Sequence, residues 1–252
     1  MTLHLSIDTD LFLTYPDAKI GLLLVERADT TNNGEEAVRC LREAEHHAKR
    51  HLEIEELARH PHIADWRAAY ASFGLKPSSH KSSVEALLRR VLQGKELPVI
   101  SPIVSLYNAI SIKHVLPCGG DDLAHVEGTI RLTRAQGDER YVMLGSEEVS
   151  HPQEGEVVYR DDTDILCRGW NYRESAKTAI SPETRDCLLA IEGLTSTSRA
   201  TLVAAMRELK ELLERCCGAQ VTLYLLDAKV SVLSDEALLD RRLAEIEPPP
   251  YH

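Results

Sequence analysis

The stretch from Pro98 to Asp122 restricts the fold more than any other, because it combines a helix start, an apolar helix and a pair of glycines that ends regular structure. Pro98 and Pro102 disfavour helix before each ring, and Pro102 is suited to the first helical position. Apolar residues then recur at spacings of three or four, which predicts a short buried helix. The stretch ends in Gly119-Gly120-Asp121-Asp122, which predicts a tight polar loop, a usual location for a ligand site.

Helix signals dominate the first third of the chain, and strand signals dominate the middle. The clearest helix is Arg199–Cys217, which Thr195–Ser198 precede as cap residues and Gly218 follows. Further helices are predicted at 35–60, 63–73 and 84–92, and strands at 2–7, 20–25, 126–133, 141–144, 156–160, 164–167, 178–180, 186–191 and 221–226. The pattern predicts an α+β fold with a mixed or antiparallel sheet core and flanking helices. We expect a single domain over residues 1–252, with an N-terminal strand and helix as an extension.

Composition narrows the possible partners. At 252 residues and 43% hydrophobic content the chain can bury a substantial core. The formal net charge of −11 repels nucleic acid on average, so any RNA contact requires a local basic patch. The six cysteines form no C-x-x-C pair, and no run is apolar enough to span a membrane. We therefore expect a reduced, cytoplasmic protein.

The segment Cys167–Ser175 holds a dense set of directional polar groups. Two arginines, an asparagine and a glutamate surround Gly169 and Trp170. A binding site would use this set, and so would a structural salt-bridge network. The binding interpretation is favoured, although Trp170 suits a core position equally well.

Two other kinds of site are considered and not favoured. His47 and His51 share a helix face one turn apart, but the Glu of an H-E-x-x-H metal motif is missing. Cys118 lies beside two glycines, but no histidine is placed to activate it. We expect neither a metal nor another cofactor.

Basic residues stand out in the polar loop before the predicted helix at 84–92, in the last turn of that helix and on the first long helix. If they gather on one face they can hold phosphates, and otherwise they are ordinary solvated charges. The set is Lys76, His80, Lys81, Arg89 and Arg90, with Arg39, Arg42, Lys49 and Arg50 on the first long helix.

Several short motifs follow one another in a characteristic order: Trp66–Tyr70, Ser82–Val91, Tyr107-Asn108, Leu116–Leu123, Gly128 with Arg131, Gly155–Tyr159 and Cys167–Glu174. Together they resemble the B3/B4 domain, the editing domain of the phenylalanyl-tRNA synthetase beta chain, which also exists as freestanding proteins. The likeness covers roughly residues 60–215.

This resemblance implies an α+β fold and, in the synthetase, hydrolysis of a wrongly attached amino acid from tRNA. Some freestanding members are tRNA deacylases, including a type that removes canavanine from arginine tRNA. The chain resembles that freestanding kind, so the implied partner is a mischarged tRNA, with arginine tRNA as the candidate.

The resemblance also implies site residues. Asn108 falls on the synthetase motif's Asn, Glu192 is similar to its pocket Glu, and Gly119 or its neighbour replaces its pocket His. The resulting pocket is more acidic and suits an α-ammonium and a guanidine-like side chain. The implied catalytic residues are Asn108, Asp122 and Glu192. The implied substrate-binding residues are Tyr107, Gly119, Gly120, Asp121, Arg168, Trp170, Asn171, Arg173 and Glu174, and the implied tRNA-binding residues are Lys76, His80, Lys81, Arg89 and Arg90.

Two alternatives remain open at this point. A noncatalytic module could bind a free amino acid or small polar metabolite in the same pocket, which fits the acidic net charge. A tRNA-binding accessory protein could keep the surface and lack hydrolysis.

Overall fold

The computed structural model describes residues 3–31 and 34–246. Its strands are β1 His4–Ile7, β2 Lys19–Glu26, β3 Cys118–Asp122, β4 Thr129–Arg134, β5 Tyr141–Val142, β6 Val149–Ser150, β7 Val157–Arg160, β8 Ile165–Arg168, β9 Arg173–Glu174, β10 Cys187–Gly193 and β11 Gln220–Leu226. Its helices are α1 Thr9–Thr14, α2 Gly34–His51, α3 Pro61–Ser72, α4 Ser83–Leu92, α5 Pro102–His114, α6 Arg199–Cys217 and α7 Leu239–Ile246. In this part of the chain, no helix has the length and apolarity needed to cross a bilayer.

Two sheets carry the fold and confirm the predicted α+β class. One has the strand order β1-β4-β7-β8-β9 and the other the order β11-β2-β10-β3. β1 pairs with β4 in parallel, while the other pairings in both sheets are antiparallel. β5 and β6 form a separate two-stranded unit.

The alternation of side chains along β2 shows how the layers are arranged. Leu23 and Val25 join a core that also contains residues of α5 and α6. Ile20 and Leu22 point the other way, into a core shared with the five-stranded sheet and α3. The four-stranded sheet is therefore the middle layer, buried on both faces, which explains the uninterrupted apolar run in its sequence.

Local signals set the starts of three helices. Ser82 accepts a hydrogen bond from the Glu85 amide at the start of α4, and Ser101 caps α5 with Pro102 as its first residue. Ser198 caps α6 through the Thr201 amide.

Several local predictions are wrong. Gly119–Asp122 is not a loop but most of β3, because pairing with β10 supplies hydrogen bonds that outweigh the weak strand preference of glycine. The helix predicted at 35–60 ends at His51, and a 3-10 turn at Leu57–Arg59 buries Leu57. Residues 178–180 form no strand, although the Thr178 carbonyl accepts a hydrogen bond from the Asp122 amide.

Candidate functional site

A small cavity lies between the two sheets, where β3 and β10 face β8 and β9. It leaves about 30 Å³ for the centres of water-sized molecules, which is room for about two waters. Its lining is Leu5, Leu22, Ser83, Cys118, Gly119, Gly120, Asp121, Ile130, Tyr159, Cys167, Trp170, Asn171, Glu174, Leu188, Ala190 and Glu192.

Glu192 is fixed at the inner end of this cavity by three donors. The Tyr159 hydroxyl and the Trp170 indole N–H donate to Oε1 at 2.6 and 2.9 Å, and the Asn171 amide donates to Oε2 at 2.7 Å. Burial raises the pKa of Glu192 to about 7, while the three hydrogen bonds lower it in part. The carboxyl group therefore exchanges a proton near neutral pH at a fixed position.

Asn171 is itself held by a second tyrosine. The Tyr70 hydroxyl donates to Asn171 Oδ1 at 2.8 Å, which assigns the amide nitrogen to Glu192. Tyr70 lies on α3 and is buried. The orientation of the Glu192 carboxyl thus depends on a helix that does not line the cavity.

Two more carboxyl groups face the same space. Asp121 is buried and accepts a hydrogen bond from the Thr178 hydroxyl at 2.5 Å. Glu174 is half-buried and lies over Gly119, where an added Cβ would come within 2.6 Å of Glu174 Oε1. Burial raises the pKa of both groups, and the charges of Asp121 and Glu192 raise that of Glu174 further.

No cation of the protein offsets these carboxyl groups inside the cavity. Among its described lining residues there is no Lys, Arg or His. Carboxyl groups that share a low-dielectric space disfavour one another's ionisation, as the raised pKa of Glu174 reflects. A bound cation would relieve the same repulsion, which makes the cavity chemically suited to cationic groups.

A family model for the B3/4 domain matches residues 65–235, more than half of the chain. The chain belongs to the B3/4 domain family. Among solved structures it is similar to an N-terminal fragment of the phenylalanyl-tRNA synthetase beta-subunit from Pyrococcus horikoshii, with 10% identity and a TM-score of 0.47. The match covers 88% of this chain and 50% of the fragment, so the chain spans about half the fragment's length. A search of curated proteins finds no match.

The B3/4 match contains most of the cavity wall. The lining residues from Ser83 to Glu192 all fall within the matched range, whereas Leu5 and Leu22 precede it. β1 and β2 therefore complete the apolar wall of the cavity from outside the matched range.

Seven of the predicted site residues meet in this B3/4 cavity. They are Gly119, Gly120, Asp121, Trp170, Asn171, Glu174 and Glu192. Tyr107 does not line it, but burial and the nearby charge of Glu174 raise the pKa of its hydroxyl.

Two residues predicted to be catalytic lie elsewhere. Asp122 accepts hydrogen bonds from the Ala124 amide at 2.9 Å and the Thr184 hydroxyl at 2.6 Å, and it borders a different cavity. Because Asp121 and Asp122 are neighbours on a strand, their side chains point to opposite faces. Asn108 is buried on α5 and is not part of the lining.

The two arginines of the predicted binding segment also differ from the prediction. Arg168 pairs with Glu156, which is fully buried, through Nε–Oε1 and Nη2–Oε2 contacts of 3.0 and 2.7 Å. The positive charge of Arg168 is therefore paired with a carboxylate of the protein itself. Arg173 is exposed, with its guanidinium carbon 4.9 Å from the centre of the Tyr172 ring.

The predicted tRNA-binding set is only partly available. Lys76, His80 and Lys81 lie on the loop between α3 and α4, and Arg90 is exposed at the end of α4. Arg89 points inward, where its Nε donates to the buried Glu85 at 2.8 Å.

The two histidines singled out on α2 pack against each other. His47 and His51 stack with ring centres 4.1 Å apart. In residues 3–31 and 34–246, no group of three or more His, Cys, Asp or Glu is arranged to hold a metal ion.

Sequence reasoning missed three members of the hydrogen-bond network around the carboxyl groups. They are Tyr70, Tyr159 and Thr178. Tyr159 carries a usable signal, because it lies two residues after Val157 on a strand and so shares the inward face of that apolar residue. Which carboxylate it meets depends on the packing of two sheets.

Proposed function

We propose that this protein is a hydrolase that removes the amino acid from a mischarged tRNA, and that the acidic cavity receives the aminoacyl group. The observation that carries the proposal is the meeting of Asp121, Glu174 and Glu192 in one cavity of a B3/4 domain. The resemblance of its sequence motifs to freestanding tRNA deacylases supports the reaction type. The absence of cations from the described lining supports a positively charged aminoacyl group.

The substrate we propose is canavanyl-tRNA(Arg). An aminoacyl ester carries an α-ammonium, and canavanine adds a guanidine-like group at the end of its side chain. Two cationic groups match a cavity with three carboxyls, since each charge-assisted hydrogen bond offsets part of the cost of dehydration. An amino acid with an apolar side chain has only the α-ammonium and would leave two of the three carboxyls without a cation, whereas canavanine leaves one, Glu192, free to act as the base.

Hydrolysis of an activated ester makes modest demands on the protein. In the proposed step, a water oxygen attacks the ester carbonyl carbon while Glu192 accepts the water proton. The carbon–oxygen bond to the ribose then breaks, and the proton passes to the departing ribose hydroxyl. A pKa of about 7 allows Glu192 to take and return a proton near neutral pH.

Ser83 offers a donor for the ester carbonyl. Its Oγ is buried, lines the cavity and has no hydrogen-bond partner within the described residues. A hydroxyl in this state can donate to an oxygen that gains negative charge in the transition state. We therefore add Ser83 to the proposed site, with Asp121 and Glu174 as the cation-binding groups.

Entry of an aminoacyl group requires the cavity to widen, because room for two waters is too small for an amino acid. Glu174 is the carboxyl group best placed to move. It lies on the two-residue strand β9 and is half-buried, whereas Glu192 accepts three side-chain hydrogen bonds. We propose that Glu174 swings outward and closes on the bound cation. The body of the tRNA would contact Lys76, His80, Lys81 and Arg90.

Deacylation assays with a panel of misacylated tRNAs test the proposal. We expect release of the amino acid from canavanyl-tRNA(Arg), with at least about a 100-fold loss of rate in Glu192→Gln and Asp121→Asn, in line with removal of a proton acceptor or a charge partner. Asp122→Asn is the matched control, because Asp122 faces away from the cavity, and it should retain the rate. Folding of each variant is checked by circular dichroism. No hydrolysis of any misacylated tRNA by the wild-type protein would exclude the proposed activity.

A noncatalytic amino-acid-binding module remains the second candidate, because the closed cavity and the net charge of −11 suit a small cation better than a large RNA. A thermal-shift screen with free amino acids distinguishes the two. A binding module gains stability with the free amino acid and leaves charged tRNA intact.

A further inference from the structure

A second concave surface lies beside the cavity, on the outer side of β8 and β9. This groove offers about 280 Å³ to water-sized molecules. It is lined by His80, Tyr141, Met143, Ser146, Glu148, Ser150, Arg168, Tyr172 and Arg173. Its lining combines aromatic rings with basic side chains, which is the combination that single-stranded nucleic acids use for stacking and for backbone contacts.

The groove is locally basic although the protein is acidic. Arg173 is exposed and forms no ion pair with any described residue, so its charge is available. His80 lies at the same wall, and Lys76 and Lys81 flank it on one loop. Glu148 is the single acidic residue in the described lining of the groove, so a negatively charged ligand meets more attraction than repulsion there.

The aromatic groups provide a stacking platform. The Arg173 guanidinium lies over the Tyr172 ring, and the His80 ring meets Tyr172 edge-on with centres 5.0 Å apart. An exposed apolar side chain of the groove lining, Met143, adds to this surface and is 42% exposed. A nucleobase can stack on such a surface without sequence-specific hydrogen bonds.

The groove and the acidic cavity are separated by a single strand. Arg173 lines the groove and Glu174, the next residue of β9, lines the cavity, as alternation along a strand requires. The Tyr141 hydroxyl lies within hydrogen-bond distance of both their carbonyl oxygens, at 3.2 and 3.1 Å. A nucleotide in the groove would therefore lie one strand away from the cavity.

From this arrangement we infer that the groove binds the 3′-terminal nucleotide of an RNA, with its base stacked on Tyr172 and Arg173 and its phosphate facing the loop that carries Lys76 and Lys81. The inference rests on the proposed function for the role of the neighbouring cavity. It deepens that function by assigning the position of the RNA end.

Fluorescence anisotropy with a short single-stranded RNA ending in CCA, the common 3′ end of tRNA, tests the inference without any ester. Tyr172→Ala should weaken binding about 5- to 100-fold, the range expected for loss of one stacked base. Tyr172→Phe keeps the ring and should bind as the wild type does. Arg173→Glu should weaken binding further and lower its dependence on salt.

Two matched controls sharpen the measurement. Arg207 is exposed on α6, away from the groove, so Arg207→Glu makes the same charge change and should leave the affinity for RNA within about 2-fold of the wild type. Removal of the terminal nucleotide from the probe should mimic Tyr172→Ala. Equal affinities for the full and shortened probes, or an unaltered affinity in Tyr172→Ala, would overturn the inference.

The outcomes separate this inference from the proposed hydrolysis. RNA binding that depends on Tyr172, in a wild-type protein that hydrolyses no aminoacyl-tRNA, supports the groove and rejects the reaction. Hydrolysis that continues at the wild-type rate and KM in Tyr172→Ala and Arg173→Glu supports the reaction and rejects the groove.

Discussion

Trp170 donates its indole N–H to Glu192 across 2.9 Å from a backbone in the left-handed region, with φ of 67°. A bulky residue in this conformation is strained and persists only where the surroundings hold it. Tyr15 and Trp66 do so by packing edge-on against the Trp170 ring, each with ring centres 5.1 Å apart. The aromatic core thus fixes one of the donors to Glu192.

Glu192 should make the stability of the protein depend on pH. Its pKa is raised from 4.5 to about 7 in the folded state, so the folded protein holds this proton more tightly than the unfolded chain. The free energy of unfolding should therefore fall as pH rises from about 4.5 to about 7, by up to about 3 kcal/mol at about 1.4 kcal/mol per pKa unit. Urea denaturation at several pH values measures this change.

The matched variant for that experiment is Glu192→Gln, which cannot ionise. Tyr70 can turn its hydroxyl to accept a hydrogen bond if the Asn171 amide reverses, so the network has a way to accommodate the change. The difference in unfolding free energy between wild type and variant should shrink or reverse as pH rises. A difference that stays constant from pH 4.5 to 8 would contradict the assignment.

Arg168 and Arg173 should respond very differently to alanine. Arg168→Ala leaves Glu156 buried without its cation, and we expect a loss of about 3 kcal/mol of unfolding free energy. Arg173→Ala removes an exposed side chain and should cost less than about 1 kcal/mol. Chemical denaturation of both variants checks the contrast, and equal losses would show that Glu156 does not need Arg168.

The two glycines of β3 should also differ in how much stability is lost when each is replaced by alanine. A Cβ on Gly119 meets the end of the flexible Glu174 side chain, so Gly119→Ala should displace that carboxylate at a cost of less than about 1 kcal/mol in stability. A Cβ on Gly120 would overlap the Leu188 carbonyl oxygen, which cannot move freely, so Gly120→Ala should cost about 2 kcal/mol or more. Thermal and urea unfolding rank the variants.

A control for the glycine pair is Gly34→Ala. Gly34 is the first residue of α2, and its nearest neighbour to an added Cβ, Pro102, is 3.9 Å away. This variant should be neutral or slightly stabilising. If Gly119→Ala lowers stability more than Gly120→Ala does, the described packing around β3 is wrong.

Tyr70→Phe should lower stability by about 1–2 kcal/mol, because it leaves the buried Asn171 Oδ1 without its donor. The proposed deacylation should slow as well, since Asn171 would then no longer be held in one orientation toward Glu192. Tyr172→Phe is the control, because Tyr172 contacts Arg173 and His80 through its ring, which this change keeps. If Tyr70→Phe and Tyr172→Phe have equal effects, the Tyr70 hydroxyl does not stabilise the network around Glu192.

The sequence predicted best those elements that depend on residues close to one another in the chain. The cap residues before α6 and the apolar repeat of Arg199–Cys217 are readable because helix ends depend on near neighbours. β3 was missed because two glycines disfavour a strand that only β10 stabilises. Once β3 is a strand, alternation alone assigns Asp121 and Asp122 to opposite faces.

The candidate site was predicted less completely, for a related reason. The segment at Cys167–Ser175 was singled out as a binding segment or a structural salt-bridge network, and its side chains divide between an ion pair and a cavity lining. Arg168 serves a structural ion pair, whereas Asn171 and Glu174 line the cavity. The sequence does not reveal which of these side chains is structural, because Glu156 meets Arg168 only when β7 and β8 pair.

The position of β2 affects how the chain reaches its final form. β2 is formed by residues near the start of the sequence, yet its two neighbours in the sheet, β10 and β11, come from the last third. During synthesis the strand must wait for both partners, and closing such long loops slows folding. The cavity, with Leu22 in one wall and Glu192 in another, is consequently among the last parts of the molecule to mature, and a nascent chain that stops before β10 has no cavity.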